Sequence, residues 1–205
     1  MIIKDHEVIF FNGDSVTDCG RDRQDRYSLS GYVSMISDKI KKKYPDLVFE
    51  IFNRGISGNR SCDVLSRIDE ELREIQPTMF VLLIGINDTW RRYDANSPTQ
   101  AEEYAANVEQ IILKVKNYTE KIVLMEPFLS GAGEDKIFFY EDLGPKLLRL
   151  RAIAKKYGLE YIALDGRFAE QAAICEVPLT KDGIHPTEAG QEFISDQFIE
   201  RLHRG

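Results

Sequence analysis

Short apolar runs alternate along this chain with longer segments whose apolar residues recur at helical spacing. Runs of strand length lie at 7–12, 48–53, 79–84, 121–125 and 160–164. Between them Tyr32, Ile36 and Ile40 form one helical stripe, Leu65, Ile68, Leu72 and Ile75 a second, and Tyr104, Val108, Ile111 and Val115 a third. A short continuous apolar run suits a strand buried on both faces, whereas a stripe at i, i+3, i+4 and i+7 is one face of a helix. Their alternation predicts an α/β fold in which five parallel strands are covered by helices on both sides. A further stripe, Leu147, Leu150, Ala154 and Tyr157, ends at Gly158, and a last helix is expected over 187–202 after Pro186. The stretch 127–142 holds Gly131, Gly133 and several acids without periodicity, and reads as a mobile loop. No repeat, low-complexity tract or linker divides the chain, so one domain over 1–205 is expected.

Composition narrows the class of partner. With 205 residues, 43% hydrophobic and 30% charged, the chain has ordinary globular composition and enough length for a full core, which excludes a disordered or fibrous protein. Its 27 basic and 34 acidic residues give a net charge of −7, which argues against nucleic acid or an anionic membrane as partner. The one basic cluster, Lys39 with Lys41, Lys42 and Lys43, falls where a helix ends before Pro45 and suits the negative end of its dipole. Lys4, Asp5 and Glu7 interrupt the region where a signal peptide needs an apolar core, and no later run reaches membrane-spanning length. A soluble, cytoplasmic protein is expected. Cys19, Cys62 and Cys175 are scattered without metal-type spacing and are expected to be free buried thiols in a reducing compartment.

In parallel sheets, ligands bind beyond the carboxyl ends of the strands. Four chemically loaded segments fall at that edge. Ser15 follows the first strand, 53–60 follow the second, Gly85-Ile86-Asn87-Asp88 follow the third, and Asp182-Gly183-Ile184-His185-Pro186 precede the last helix. Serine needs a base to take its proton and an acid to orient that base, and Asp182 and His185 can supply both from one loop. An acyl-transfer site also needs donors for the oxyanion. The Ser15 amide, the Gly58 amide and the Asn87 carboxamide are the candidates. Each residue has a plainer reading when taken alone: Ser15 as a helix N-cap, His185 as a residue at a helix start, Asn87 and Asp88 as a turn. Ser57 sits in a near miss to a Gly-x-Ser-x-Gly elbow, but Asn59 stands where the final glycine is needed. His6 and His203 lack such partners and read as surface residues.

Taken together, the blocks Gly13-Asp14-Ser15, Ile56-Ser57-Gly58-Asn59, Gly85-Ile86-Asn87-Asp88 and Asp182-Gly183-Ile184-His185-Pro186 resemble those of the SGNH hydrolases, also called GDSL esterases and lipases. The longer strings Gly13 to Arg21 and Gly85 to Asp94 are most similar to the unsecreted bacterial branch that includes acetylxylan esterases. The resemblance implies a flavodoxin-like three-layer α/β/α sandwich, with Ser15 as nucleophile, His185 as base and then acid, and Asp182 as its orienter. It implies an oxyanion hole of Ser15, Gly58 and Asn87, and neither a metal nor an organic cofactor. Trp90, the only tryptophan, lies just past the asparagine block, where it stacks on a sugar, walls an acyl pocket or packs into the scaffold. Asp14 stands with Trp90 as a substrate-contact candidate, or with Asp18 as a local acid ordering the serine loop. Arg54, Arg60, Arg91 and Arg92 form a positive rim or pair with surface acids.

Three functions follow. The leading one is a serine esterase that deacetylates a small acylated substrate, an acetylated oligosaccharide. A second keeps the machinery for a lipase, lysophospholipase or thioesterase; a third is a sugar-binding module without turnover. Homo-oligomers are common enough to expect one.

Overall fold

The structure, a computed structural model, describes residues 1–131 and 134–205. After a two-residue strand β1 (Ile2–Ile3) come β2 (Glu7–Gly13), a single helical turn α1 (Ser15–Asp18), α2 (Gly31–Lys43), β3 (Phe49–Asn53) and α3 (Ser61–Ile75). Next are β4 (Met79–Leu83), α4 (Ile86–Asp94), α5 (Ala101–Val115), β5 (Ile122–Met125), a 3-10 turn (Glu134–Lys136) and α6 (Phe139–Tyr157). The chain closes with β6 (Glu160–Ile162), α7 (Leu164–Ile174), α8 (Glu188–Ile199) and β7 (His203–Arg204).

β2 to β6 form the expected five-stranded sheet, in the order β3-β2-β4-β5-β6 and parallel throughout. Alternation along each strand decides which face a side chain meets. Ile9 and Phe11 of β2 and Met79, Val81 and Leu83 of β4 pack under Tyr32, Ile36 and Ile40 of α2, Phe168 of α7 and Ile194 and Phe198 of α8. Phe10 of β2 and Phe80 and Leu82 of β4 face the other way, onto Ile68 and Leu72 of α3, Val108 and Ile111 of α5 and Leu150 of α6. Both faces are therefore dry, which is why these strands read as unbroken apolar runs.

The strand order reverses direction between β2 and β4, the neighbours paired Gly13 with Leu83 at their carboxyl ends. Such a switch point leaves a crevice because the connections leave to opposite faces. Ser15 and Asn87 emerge on its two sides. A third, smaller apolar cluster of Ile86, Leu129, Phe139, Leu143, Leu147 and Ile184, with Trp90 packed against it, lies at this edge and ties α4, α6 and the segment before α8 together.

The structure departs from the sequence expectation in four places. The stretch 127–142 is not one loop: residues 132–133 lie outside the described residues, and Glu134–Lys136 and the start of α6 at Phe139 occupy its second half. Leu129 and Phe139 enter the third cluster, and Phe128 stacks on Phe168 at 3.9 Å. α4 and α7 are helices where the apolar periodicity predicted none, and α7 begins at Leu164, the last residue of the expected fifth strand. The last helix runs only Glu188–Ile199, and the chain beyond it returns to pair His203 with Ile2 in parallel.

Candidate active site

β2 delivers Ser15 at the first position of α1, where Asp14 caps the turn by accepting the Val16 amide at 3.0 Å. The Ser15 hydroxyl lies 3.1 Å from Nε2 of His185. On the far side of the ring, Nδ1 lies 2.9 Å from Oδ2 of Asp182. An ionised carboxylate only accepts, so Nδ1 carries the proton and donates to Asp182, which leaves Nε2 as acceptor for the Ser15 hydroxyl. Burial pushes the Asp182 carboxyl up, but the amide of His185, its imidazole and the amide of Ile184 together outweigh that and hold it below its ordinary value.

The acid-and-base loop is narrow and braced. Oδ1 of Asp182 accepts the amides of Ile184 at 3.0 Å and His185 at 2.8 Å, so the acid folds back over its own loop. Thr180 bridges to Pro186, and the Lys181 amide donates to the His185 carbonyl at 2.8 Å. The Ser130 amide donates to the Gly183 carbonyl, and the Thr180 hydroxyl returns a bond to the Ser130 carbonyl. Ile184 is buried in the third cluster, and Gly190 leaves so little room that a Cβ there would stand 2.0 Å from the Leu179 carbonyl oxygen. These contacts fix the imidazole without a long element beneath it.

The second half of the site is built by cross-links between loops. Ser57 donates its amide, at 3.0 Å, and its hydroxyl, at 2.6 Å, to Oδ2 of Asp18 at the end of α1, and Arg23 donates to the same oxygen. Burial pushes this carboxyl up, yet Arg23 and the two Ser57 donors prevail and hold it below the usual range. Gly58 follows Ser57 with φ +87, a conformation that favours glycine, while a Cβ there would meet nothing within 4 Å. Glycine is thus set by the backbone angle and not by lack of space. The Asn87 carboxamide donates to the Asn59 carbonyl at 3.0 Å, which leaves its second N–H unspent, and Arg91 holds its oxygen at 3.4 Å. Among the described residues, no protein acceptor takes the amides of Ser15 or Gly58. Ser15, Gly58 and Asn87 thus each keep an unspent donor, on three segments that follow the carboxyl ends of β2, β3 and β4.

Below this layer the polar groups are deeply buried. Asp88 accepts the Ser61 hydroxyl at 2.6 Å and its amide at 2.9 Å, tying α4 to the start of α3; burial raises its carboxyl to about 6. Burial, and to a lesser degree the nearby Asp88, raises Asp14 to about 7. Asp14 is 1% exposed and turned toward its own helix, so the substrate-contact role expected for it is corrected to a capping one.

A groove of about 520 Å³ opens over Ser15 and is lined by Cys19, Gly20, Ser57, Lys181, Asp182, His185, Pro186 and Gln191. Trp90 is not among these residues. Its ring packs 5.9 Å from the imidazole and 6.4 Å from Phe139, with Arg91 at 5.4 Å and Lys136 at 5.6 Å. Arg54, Arg91 and Arg92 pair with Glu74, Asp94 and Asp142, while Arg60 bonds Ser97. The three cysteines are free but half-buried, not buried as expected. Lys181 and Gln191 were missed from sequence, although Lys181 adjoins the Asp182 motif. Among the described residues no three His, Cys, Asp or Glu side chains cluster as a metal site, and no helix is long and apolar enough to cross a membrane.

The chain is 29% identical to an acetylxylan esterase of Geobacillus stearothermophilus over 98% of its own length and 96% of that protein's. The crystal structure of that enzyme superposes with a TM-score of 0.89 at 28% identity, over 98% of this chain and 95% of that one. Solved forms of it described as catalytic mutants replace a serine, an aspartate and a histidine, the last two separated by the same interval as Asp182 and His185. Another carries a replaced tryptophan immediately ahead of that aspartate. The thioesterase 1/protease 1/lysophospholipase L1 of Escherichia coli is 26% identical over 84% of this chain and 74% of its own. Residues 11–193 match the GDSL-like lipase/acylhydrolase family, and the chain belongs to that family.

Proposed function

We propose that this protein is a serine esterase that removes short acyl groups, acetyl foremost, from the hydroxyls of a small oligosaccharide. The observation that carries the reading is the line from Ser15 Oγ through His185 Nε2 and Nδ1 to Asp182, at 3.1 and 2.9 Å. In the proposed reaction Ser15 Oγ attacks the acyl carbon as its proton passes to Nε2 of His185. Negative charge then gathers on the carbonyl oxygen, where the amides of Ser15 and Gly58 and the Asn87 carboxamide receive it. The imidazolium, steadied by Asp182, returns its proton to the leaving sugar oxygen, and the acyl group stays on Ser15. Water deprotonated by His185 then repeats the attack and frees the acid.

The groove over Ser15 is open rather than a deep enclosed tunnel, and Ser57, Lys181, Asp182 and Gln191 bring hydrogen-bonding groups to an otherwise apolar lining, which suits a sugar ester better than a long acyl chain. The acetylxylan esterase likeness, covering nearly all of both chains, supports the same choice. The test is a substrate matrix that crosses acyl length with alcohol type, acetylated xylose oligomers included, with Ser15→Ala as blank. A steep decline beyond acetyl, with sugar acetates turned over, is the expected result. A rise toward octanoyl esters would replace this reading with a lipase or thioesterase, and sugar binding without turnover of any activated acetyl ester would replace it with a binding module.

A further inference from the structure

Lys181 is exposed at the mouth of the groove. Its amide is spent on the His185 carbonyl, whereas its ammonium has no hydrogen-bond acceptor or carboxylate partner among the described residues. Asp182 and Lys181 are the charged side chains in the groove, and the Asp182 carboxylate is consumed by the imidazole and two amides. A protein with a net charge of −7 therefore presents an uncompensated cation beside its candidate nucleophile. Across the imidazole, the cations that flank Trp90 are compensated, Arg91 by Asp94 and Lys136 by Asp135, which sets Lys181 apart from them. Where the Geobacillus enzyme has a tryptophan immediately ahead of its aspartate, this chain has Lys181, a cation in place of an aromatic face.

Geometry tells which end of the substrate this cation meets. In the proposed reaction Gly58 and Asn87 receive the carbonyl oxygen, and the leaving oxygen must reach Nε2 of His185 to take its proton. The alcohol therefore lies on the imidazole side of Ser15, which is the side Lys181 borders. We infer that Lys181 is a specificity-determining residue that favours acyl esters whose sugar carries a negative charge, a carboxylate-bearing acetylated oligosaccharide. The inference rests on the esterase reading above and narrows it to a substrate class.

The test compares two esters that differ only at one carbon: an acetylated methyl glucoside and the corresponding methyl glucuronide, with para-nitrophenyl acetate as an uncharged reference. Two unit charges about 5 Å apart in water interact strongly enough for a preference of about threefold to fourfold, and charge reversal should swing the ratio about tenfold. The expected result is a higher kcat/KM for the glucuronide at about 10 mM salt, shrinking toward parity at about 0.5 M. Lys181→Glu is expected to invert the ratio and Lys181→Gln to abolish it, with melting temperature confirming that both fold. The same glucuronide-to-glucoside ratio in wild type and Lys181→Glu overturns the inference, as does turnover of the reference ester with neither sugar ester accepted. Loss of all three activities in the wild type instead removes the esterase reading beneath it.

Discussion

The contact between Asp18 and Ser57 makes a sharp prediction, because one carboxylate oxygen joins the loop that bears the candidate nucleophile to the loop that bears Gly58. Asp18→Asn keeps the size of the side chain and one acceptor oxygen but removes the charge. Its amide oxygen can take the place of Oδ2 and still accept from Arg23 and Ser57, but as a neutral acceptor, while its nitrogen takes the place of Oδ1, 4.0 Å from Nε of Arg21, so each of the three bonds loses its charge assistance. A hydrogen bond to a charged group contributes about 1.5–3 kcal/mol, which sets the expected loss of stability at about 2 kcal/mol. The effect on turnover has its own ceiling. Complete loss of one oxyanion donor costs about 10² to 10³ in kcat, and a loosened Gly58 amide should cost part of that, about tenfold to a hundredfold. Charge on the carbonyl oxygen develops only in the transition state, so KM for para-nitrophenyl acetate should move little. Ser57→Ala, which deletes the hydroxyl bond and spares the amide, should lose about threefold. The double variant should lose less than the product of the two, since both act on one contact. Steady-state kinetics and thermal melting on all four proteins test this. A lowered melting temperature with kcat within twofold of wild type would refute the reasoning and reduce the contact to a brace.

Ser15→Ala and His185→Ala should each lower kcat by several powers of ten without unfolding the protein, read by kinetics and circular dichroism; substantial activity in either rejects the assignment. Asn87→Ala should lower kcat by about 10² to 10³ with KM nearly constant, and an unchanged kcat would remove its carboxamide from the oxyanion site. Gly190→Ala places a Cβ 2.0 Å from the Leu179 carbonyl oxygen and should destabilise by about 2–3 kcal/mol in urea titration, with no loss meaning the acid-and-base loop yields freely. Asp14 gives a pH prediction. Its carboxyl is raised to about 7 in the fold against 3.8 unfolded, so between about pH 4 and 7 the native state holds the extra proton and stability falls as pH rises. The shift of about three units corresponds to about 4 kcal/mol across that window. Asp14→Asn, which keeps an acceptor for the Val16 amide, should flatten that decline, leaving the part that Asp88 contributes below about pH 6, and parallel pH profiles for variant and wild type would contradict it.

The parts of this protein that were legible in its sequence are those where one periodicity serves one purpose. β2 and β4 are buried on both faces, and their apolar runs announce them; α2, α3 and α5 each cover one face, and their stripes do the same. The elements that escaped are held by tertiary contacts their own sequences do not declare. The early turns of α6 contain Gly144 and Pro145, which together resemble a boundary, yet Phe139, Leu143 and Leu147 anchor them in the third cluster and the buried Lys146 pairs with Asp142. α7 buries only Leu164 and Phe168, too few positions to set a period, and Asp165-Gly166 reads as a turn. α4 begins at Gly85-Ile86-Asn87-Asp88, where Asp88 leaves its own helix to hold Ser61 and so hides helical intent behind turn-forming residues.

The candidate site follows the same logic. Ser15, His185 and Asp182 were legible because their chemistry restricts residue type and their loop restricts spacing. Asp14 misled because a carboxylate beside a candidate nucleophile has two uses, substrate contact and helix capping, and only burial separates them. The Asp18–Ser57 and Asn87–Asn59 links were invisible for a different reason: each joins loops more than twenty-five positions apart, and neither residue of either pair is chemically unusual. Those links hold Ser57 and Asn59, the two chain neighbours of Gly58. Reading a nucleophile from sequence is therefore easier than reading its oxyanion hole, because reactivity restricts side chains, whereas a donor amide restricts only where the backbone passes.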